Sequence, residues 1–304
     1  MKSVLLNPVL DGYSVYLIYG AMAVYTVAFL TFVWHLSRLS SEDKKLKKTA
    51  AKIEFSAYLI LVFGALLHGT GVVLRGIAAS RVPWANMYEF SISGSFVIVA
   101  IFLGAWFVRE IRVIAVLVSA FALLVLGAAT TVLYVKLKTL MPALQSYWLV
   151  IHVTVAVLAT AFFNIAAALA VAYILRNWGW LANSKLGIAK LINRVLSVFP
   201  EPKKLESLSH RFNVIGFILW TFTLVAGAIW AERAWHRFWG WDTKEVWTFI
   251  IWVVYAGYLH AKATRGWSGA RAAWLSLVGF AAVLFNFTIV NLFFKGLHVY
   301  SGLK

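Results

Sequence analysis

Eight stretches of this chain are each apolar for about 20 residues, the length an α-helix needs to cross roughly 30 Å of hydrocarbon. They fall at 13–36, 54–74, 90–108, 113–134, 147–175, 212–231, 246–262 and 273–294. Lipid offers no water to satisfy backbone polar groups, so a spanning segment must be a helix or part of a closed barrel. Uninterrupted apolar runs of helical length predict an all-α integral membrane protein of about eight transmembrane helices. Charged residues make up only 13% of the chain, against roughly a quarter in soluble domains. The reading is therefore one polytopic membrane domain over residues 1–304, and no soluble domain.

Basic residues set the expected orientation. The connections 37–53, 109–112, 176–211 and 262–272 carry 18 of the 28 Lys and Arg; the termini and the other connections carry 10. The positive-inside rule puts the first set in the cytoplasm and both termini outside. The net charge of +17 then belongs to the cytoplasmic leaflet, and no nucleic acid partner is expected. The first span lacks a basic leader and a cleavage site, so no removable signal is expected. Within 176–211, the segment Leu186–Val198 is amphipathic and reads as an interfacial helix. There are no cysteines, which excludes thiolate metal sites, iron–sulfur clusters and disulfides.

Seven of the 15 tryptophans lie between Trp220 and Trp252. An interfacial aromatic belt would spread them over both ends of every helix. One dense block predicts a broad apolar surface for a planar ligand, centred on an external loop, 232–246, between helices 6 and 7.

Histidine is the residue type here most suited to a metal. His152 near the outer end of span 5 and His298 after span 8 fall at the level of that loop. They suit axial ligation of a haem iron, or are a packing residue and an exposed tail residue. His260 lies about 14 residues into span 7, roughly 20 Å deep, where ionisable groups are expensive. It reads as an inner ligand or as an imidazole bonded to a neighbouring helix, with Gly257 and Ala261 permitting close approach. His35 reads as interfacial, His68 as lacking a partner at its level and His210 as cytoplasmic.

Asp242 and Glu245 have the spacing of a capping box that opens helix 7. With the helix start, Arg233, Arg237 and Lys244 suit carboxylates, while Trp235, Trp239, Trp241 and Trp247 cover an apolar body. A lipid phosphate fits the same charges. Arg75, Asn86 and Glu89 around Pro83 form a second polar cluster, read as a structural turn or as support for the ligand site.

The run WAERAWHRFWGWDTKEVWTFIIWVVYAGYLHAK resembles the tryptophan-rich "WWD" signature of cytochrome c maturation proteins of the CcsA/ResC type, in the haem-handling superfamily that includes CcmC. SYWLVIHV, RVPWANMYE and GLHVY extend the resemblance along the chain. It implies that His152 and His298 are paired external haem ligands, and that His260 serves an inner site shared with a CcsB/ResB-type membrane subunit. It further implies haem b as cargo, an apocytochrome c with a CxxCH motif as acceptor, and a place in a cytochrome c synthase (haem lyase) complex. The membrane implied is the bacterial plasma membrane, with the thylakoid as alternative. Three positions depart from the pattern: His236 replaces Gly, Thr243 replaces Pro and Val299 replaces Ser. His236 is either solvent-facing or an extra ligand. A competing class is a transporter of another anionic amphiphile, and a third is a scaffold that only docks a partner.

Overall fold

A computed structural model describes residues 6–140, 145–177, 187–294, 296 and 297. Among the described residues there are ten α-helices and no strand. They are α1 (Pro8–Leu39), α2 (Lys44–Ala79), α3 (Met87–Gly104), α4 (Ala115–Thr131), α5 (Tyr147–Arg176), α6 (Gly187–Ser197), α7 (Pro202–Trp235), α8 (Thr243–Arg265), α9 (Ala270–Phe287) and α10 (Ile289–Phe293).

Local chemistry accounts for where several of them begin. Asn7 accepts from Val9 N and Leu10 N, and Pro8 takes the first helical position, where no N–H is needed. Asn86 accepts from Glu89 N to open α3, and Ser146 from Trp148 N to open α5. The expected capping box is present at α8: Asp242 accepts from Lys244 N, and Glu245 accepts from Asp242 N.

Among the described residues, seven helices are long and apolar enough to cross a membrane, where eight spans were expected. The missing one is 246–262. It forms a helix of sufficient length, α8, but Trp247, Trp252, Tyr255, Tyr258, His260 and Lys262 dilute its aliphatic residues. Elsewhere the helices run beyond the expected spans, because polar first and last turns continue past the apolar core: α2 begins at Lys44 and α7 at Pro202. The amphipathic segment forms α6, whose Ala189 and Leu196 pack against Leu175 and Phe199.

Helix α1 lies along α2, and α5 along α7. Helix α3 joins the two pairs by touching α2 and α5, while α9 packs on both α5 and α8. Alanine-rich α5 is the most enclosed of the seven apolar helices. Lipid tails are as apolar as side chains, so helices here associate through close packing. Gly216 and Gly279 show how: a Cβ on either would fall 2.7 Å from the ring of Phe163 or Tyr255. Those two rings stack at 3.7 Å, 4° from parallel, and join α5 to α8.

One expectation about a single histidine is corrected, and a second histidine gains a packing role. His35, at the end of α1, is buried between helices: Nδ1 lies 2.9 Å from Ala50 O and Nε2 3.9 Å from Glu54. His68, expected to lack a partner, bonds Tyr25 Oη at 3.2 Å and Ile92 O at 2.9 Å. Both tie α2 to a neighbouring helix.

Candidate functional site

A cavity of about 250 Å³ opens among α3, α5, α7, α8 and α9. Its walls are mainly apolar. Trp84, Phe90, Trp220, Trp230, Phe238, Trp239 and Phe287 supply aromatic surface, and His152, Lys244, Glu245, Asn86, Asn286 and Asn291 the polar groups. Apolar walls with a few placed polar groups are the usual make-up of a small-molecule site.

His152 is the most constrained group in that wall. Its ring lies against Gly227 of α7, where a Cβ would meet Cε1 at 2.8 Å and Nδ1 at 2.9 Å. It stacks on Trp230 with centroids 5.9 Å apart and planes 19° apart. Nδ1 sits 2.9 Å from Thr223 O. The tautomer that donates there carries its lone pair on Nε2. Metal-binding imidazoles are oriented in this way, with the second nitrogen donating to a carbonyl.

The tryptophan block divides in two. Trp220, Trp230 and Trp239 line the cavity. The others fasten the helices or cover the loop. Trp235 meets Trp230 edge-on at 4.8 Å and carries the Arg237 guanidinium 5.8 Å from its ring centre. Trp247 packs on Phe285 at 4.3 Å, and Trp252 Nε1 donates to Thr221 Oγ1 at 2.9 Å. Trp241 stands perpendicular to Trp239 at 5.9 Å and is 76% exposed. A single continuous shelf is therefore not what these residues build.

The charged residues of the loop separate in the same way. Arg233 is exposed. Arg237 pairs with Glu245 at 3.4 Å, and Glu245 also accepts from Gly240 N and Asp242 N. Asp242 caps α8 and accepts from Leu297 N at 3.1 Å, which brings the segment just before His298 against the loop. His298 itself lies outside the described residues. Lys244 turns inward, donating to Asn286 O at 2.6 Å and Asn291 Oδ1 at 3.0 Å.

His260 is remote from this cavity and exposed on the outer face of α8, so the alternative of a buried imidazole bonded to another helix does not hold. Beside it, Gly257 faces open space: among the described residues no other helix comes within 4 Å of where a Cβ would sit. His236 is exposed and has φ 56°, closing α7 through its N–H to Glu232 O at 2.8 Å. That left-handed position favours glycine, which accounts for the Gly of the pattern noted above.

The cluster around Pro83 lies under the loop that carries Trp84 and Asn86 to the cavity. Arg75 is fully buried and reaches Asp11 at 2.5 Å, Glu89 at 3.1 Å and Val135 O at 2.8 Å. Glu89 also takes Arg81 at 2.5 and 3.0 Å and Ala85 N at 2.9 Å. Sequence reasoning missed Trp84, Asn286 and Asn291 as lining residues. Trp84 stood in a quoted motif, but nothing in local spacing joins it to residues 150 positions away.

Residues 84–298 match the family described as Cytochrome C assembly protein. The chain is 35% identical over 313 residues to the cytochrome c biogenesis protein CcsA of Prochlorococcus marinus strain MIT 9515, covering 96% of this chain and 97% of that one. It is 34% identical over 264 residues to CcsA of Synechococcus elongatus, covering 75% and 81%, and 34% identical over 246 residues to CcsA of Guillardia theta, covering 76% and 80%. Among solved structures, the cytochrome c haem lyase CcmF has a similar fold, with a TM-score of 0.60 at 17% identity over 94% of this chain. The chain spans 47% of that protein, about half its length.

Proposed function

The chain belongs to the cytochrome c assembly protein family, in its CcsA branch, and from that premise we propose that it brings haem to the aromatic cavity and presents it for attachment to apocytochrome c. The observation that carries this is His152, oriented by Thr223 O and Gly227 in a tryptophan-walled cavity. The donor set suits the cargo. An imidazole with its Nδ1 bonded ligates iron, and Trp220, Trp230 and Trp239 offer faces to a planar macrocycle. His298 is the proposed second external ligand; the bond from Leu297 N to Asp242 supports its nearness to the loop.

In this reading Trp235, Trp241, Asp242 and Trp247 support the cavity, while Arg233 and Arg237 form its outer rim. The protein's chemical contribution is positioning. Held between fixed walls, haem b exposes its vinyl groups to the CxxCH thiols. Each S–H then adds across one C=C, sulfur to one carbon and hydrogen to the other. His260, facing outward beside Gly257, is proposed to meet a CcsB/ResB-type subunit at an inner site. The tryptophan-rich loop faces the external side of a bacterial plasma membrane, the orientation that the Lys and Arg distribution supports.

The test is the absorption spectrum and cytochrome yield of His152→Ala, expressed with the partner. We expect loss of the bis-imidazole Soret signature and of mature cytochrome c, with partial recovery on adding imidazole. Unchanged maturation in a stably inserted variant would sink the assignment.

A further inference from the structure

Lys244 is the only Lys or Arg lining the cavity among the described residues. Its ammonium has three N–H donors. Two go to Asn286 O and Asn291 Oδ1, both neutral acceptors. The third has no acceptor among the described residues. Neither neighbouring acid is in direct ion-pair contact with it there, although Asp242 lies near enough to favour its charge. Asp242 accepts from Lys244 N and Leu297 N. Glu245 also faces the cavity, but its carboxylate is engaged by Gly240 N, Asp242 N and Arg237. A buried cation at a largely apolar wall, with no carboxylate in direct contact among the described residues, gains when an anion joins it.

A second observation points the same way. Asn286 lines the same cavity, is 5% exposed, and its amide oxygen is buried with no hydrogen-bond partner among the described residues. Rotating that amide by half a turn exchanges oxygen for NH₂. The side chain can then donate to an anion held by Lys244.

We propose that Lys244 and Asn286 form a carboxylate-binding subsite inside the cavity, which takes one acid group of a planar apolar ligand. Resting on the haem reading above, this assigns one propionate to the inner wall, away from Arg233 and Arg237 at the rim. The ligand enters with one acid edge buried, and Lys244 discriminates between porphyrin acids and their neutral analogues.

The test uses metal-free protoporphyrin IX and its dimethyl ester, so that iron ligation plays no part. Binding of each to the purified full-length protein is followed by porphyrin fluorescence. A charge-assisted hydrogen bond is worth enough to favour the acid by roughly tenfold or more. Lys244→Met should bring that ratio close to one, and Lys244→Arg should retain part of it. Asn286→Leu should lower it by a smaller factor. Equal binding of acid and ester by the unaltered protein overturns the subsite, a result that does not depend on any variant folding. So does an undiminished preference in Lys244→Met. Failure of both porphyrins and of haem to bind overturns the haem reading itself and this subsite with it.

Discussion

Arg75, which braces the loop bearing Trp84 and Asn86, and Lys244, in the cavity wall, are both enclosed cations, and the fold treats them in opposite ways. Arg75 meets Asp11, Glu89 and a backbone carbonyl, and Arg81 completes the neutralisation of Glu89. Lys244 donates only to neutral oxygens among the described residues, with Asp242 acting on it from farther off. A fully compensated charge holds a structure together, whereas one only partly compensated keeps binding capacity in reserve. The first cluster fixes the loop bearing Trp84 and Asn86; the second leaves a donor for something that arrives later.

The largest effect expected from breaking this contrast is in Arg75→Ala. Removing one partner of a buried ion cluster strands the others, at about 3–5 kcal/mol. The variant should melt well below the parent in detergent and accumulate poorly in the membrane. An unchanged melting temperature would show that the cluster is not the structural half of the pair.

Gly227→Ala sharpens the comparison from the functional half. The added Cβ falls 2.8 Å from His152 Cε1, so the ring must move. Overpacking of this kind costs about 1–3 kcal/mol, and displaced His152 should lower haem retention more than stability. A normal Soret band would mean that the ring's position against α7 is unimportant.

The smallest effect belongs to neither region. His236→Gly relieves a left-handed backbone and should stabilise the protein by about 1 kcal/mol, read as a modest rise in melting temperature. Haem content should stay as it was. A fall in haem would identify His236 as the extra ligand that its exposed position at the end of α7 argues against.

Much of the architecture was legible because it follows from local chemistry. Apolar runs located seven of the helices, and the Asp242–Glu245 spacing predicted a capping box that is present. Helix α8 is less apolar because Trp247, Trp252, Tyr255 and Lys262, which engage neighbouring helices, stand where aliphatic residues would. His68 was misjudged for a related reason. Sequence gives the depth of a residue along its own helix, but not which neighbouring carbonyl faces it.

The tryptophan block shows where that boundary lies. Its density announced a ligand surface, and three of its seven residues do line the cavity. Spacing along α7 and α8 did not reveal which three, because rotation about each helix axis is set by packing against α5 and α9. Residue types and their order determined helical spans, caps and a demand for aromatic surface. Tertiary packing alone brought Trp84, Asn286 and Asn291 to the cavity and turned Lys244 inward, since those approaches depend on contacts between segments 40 to 150 residues apart.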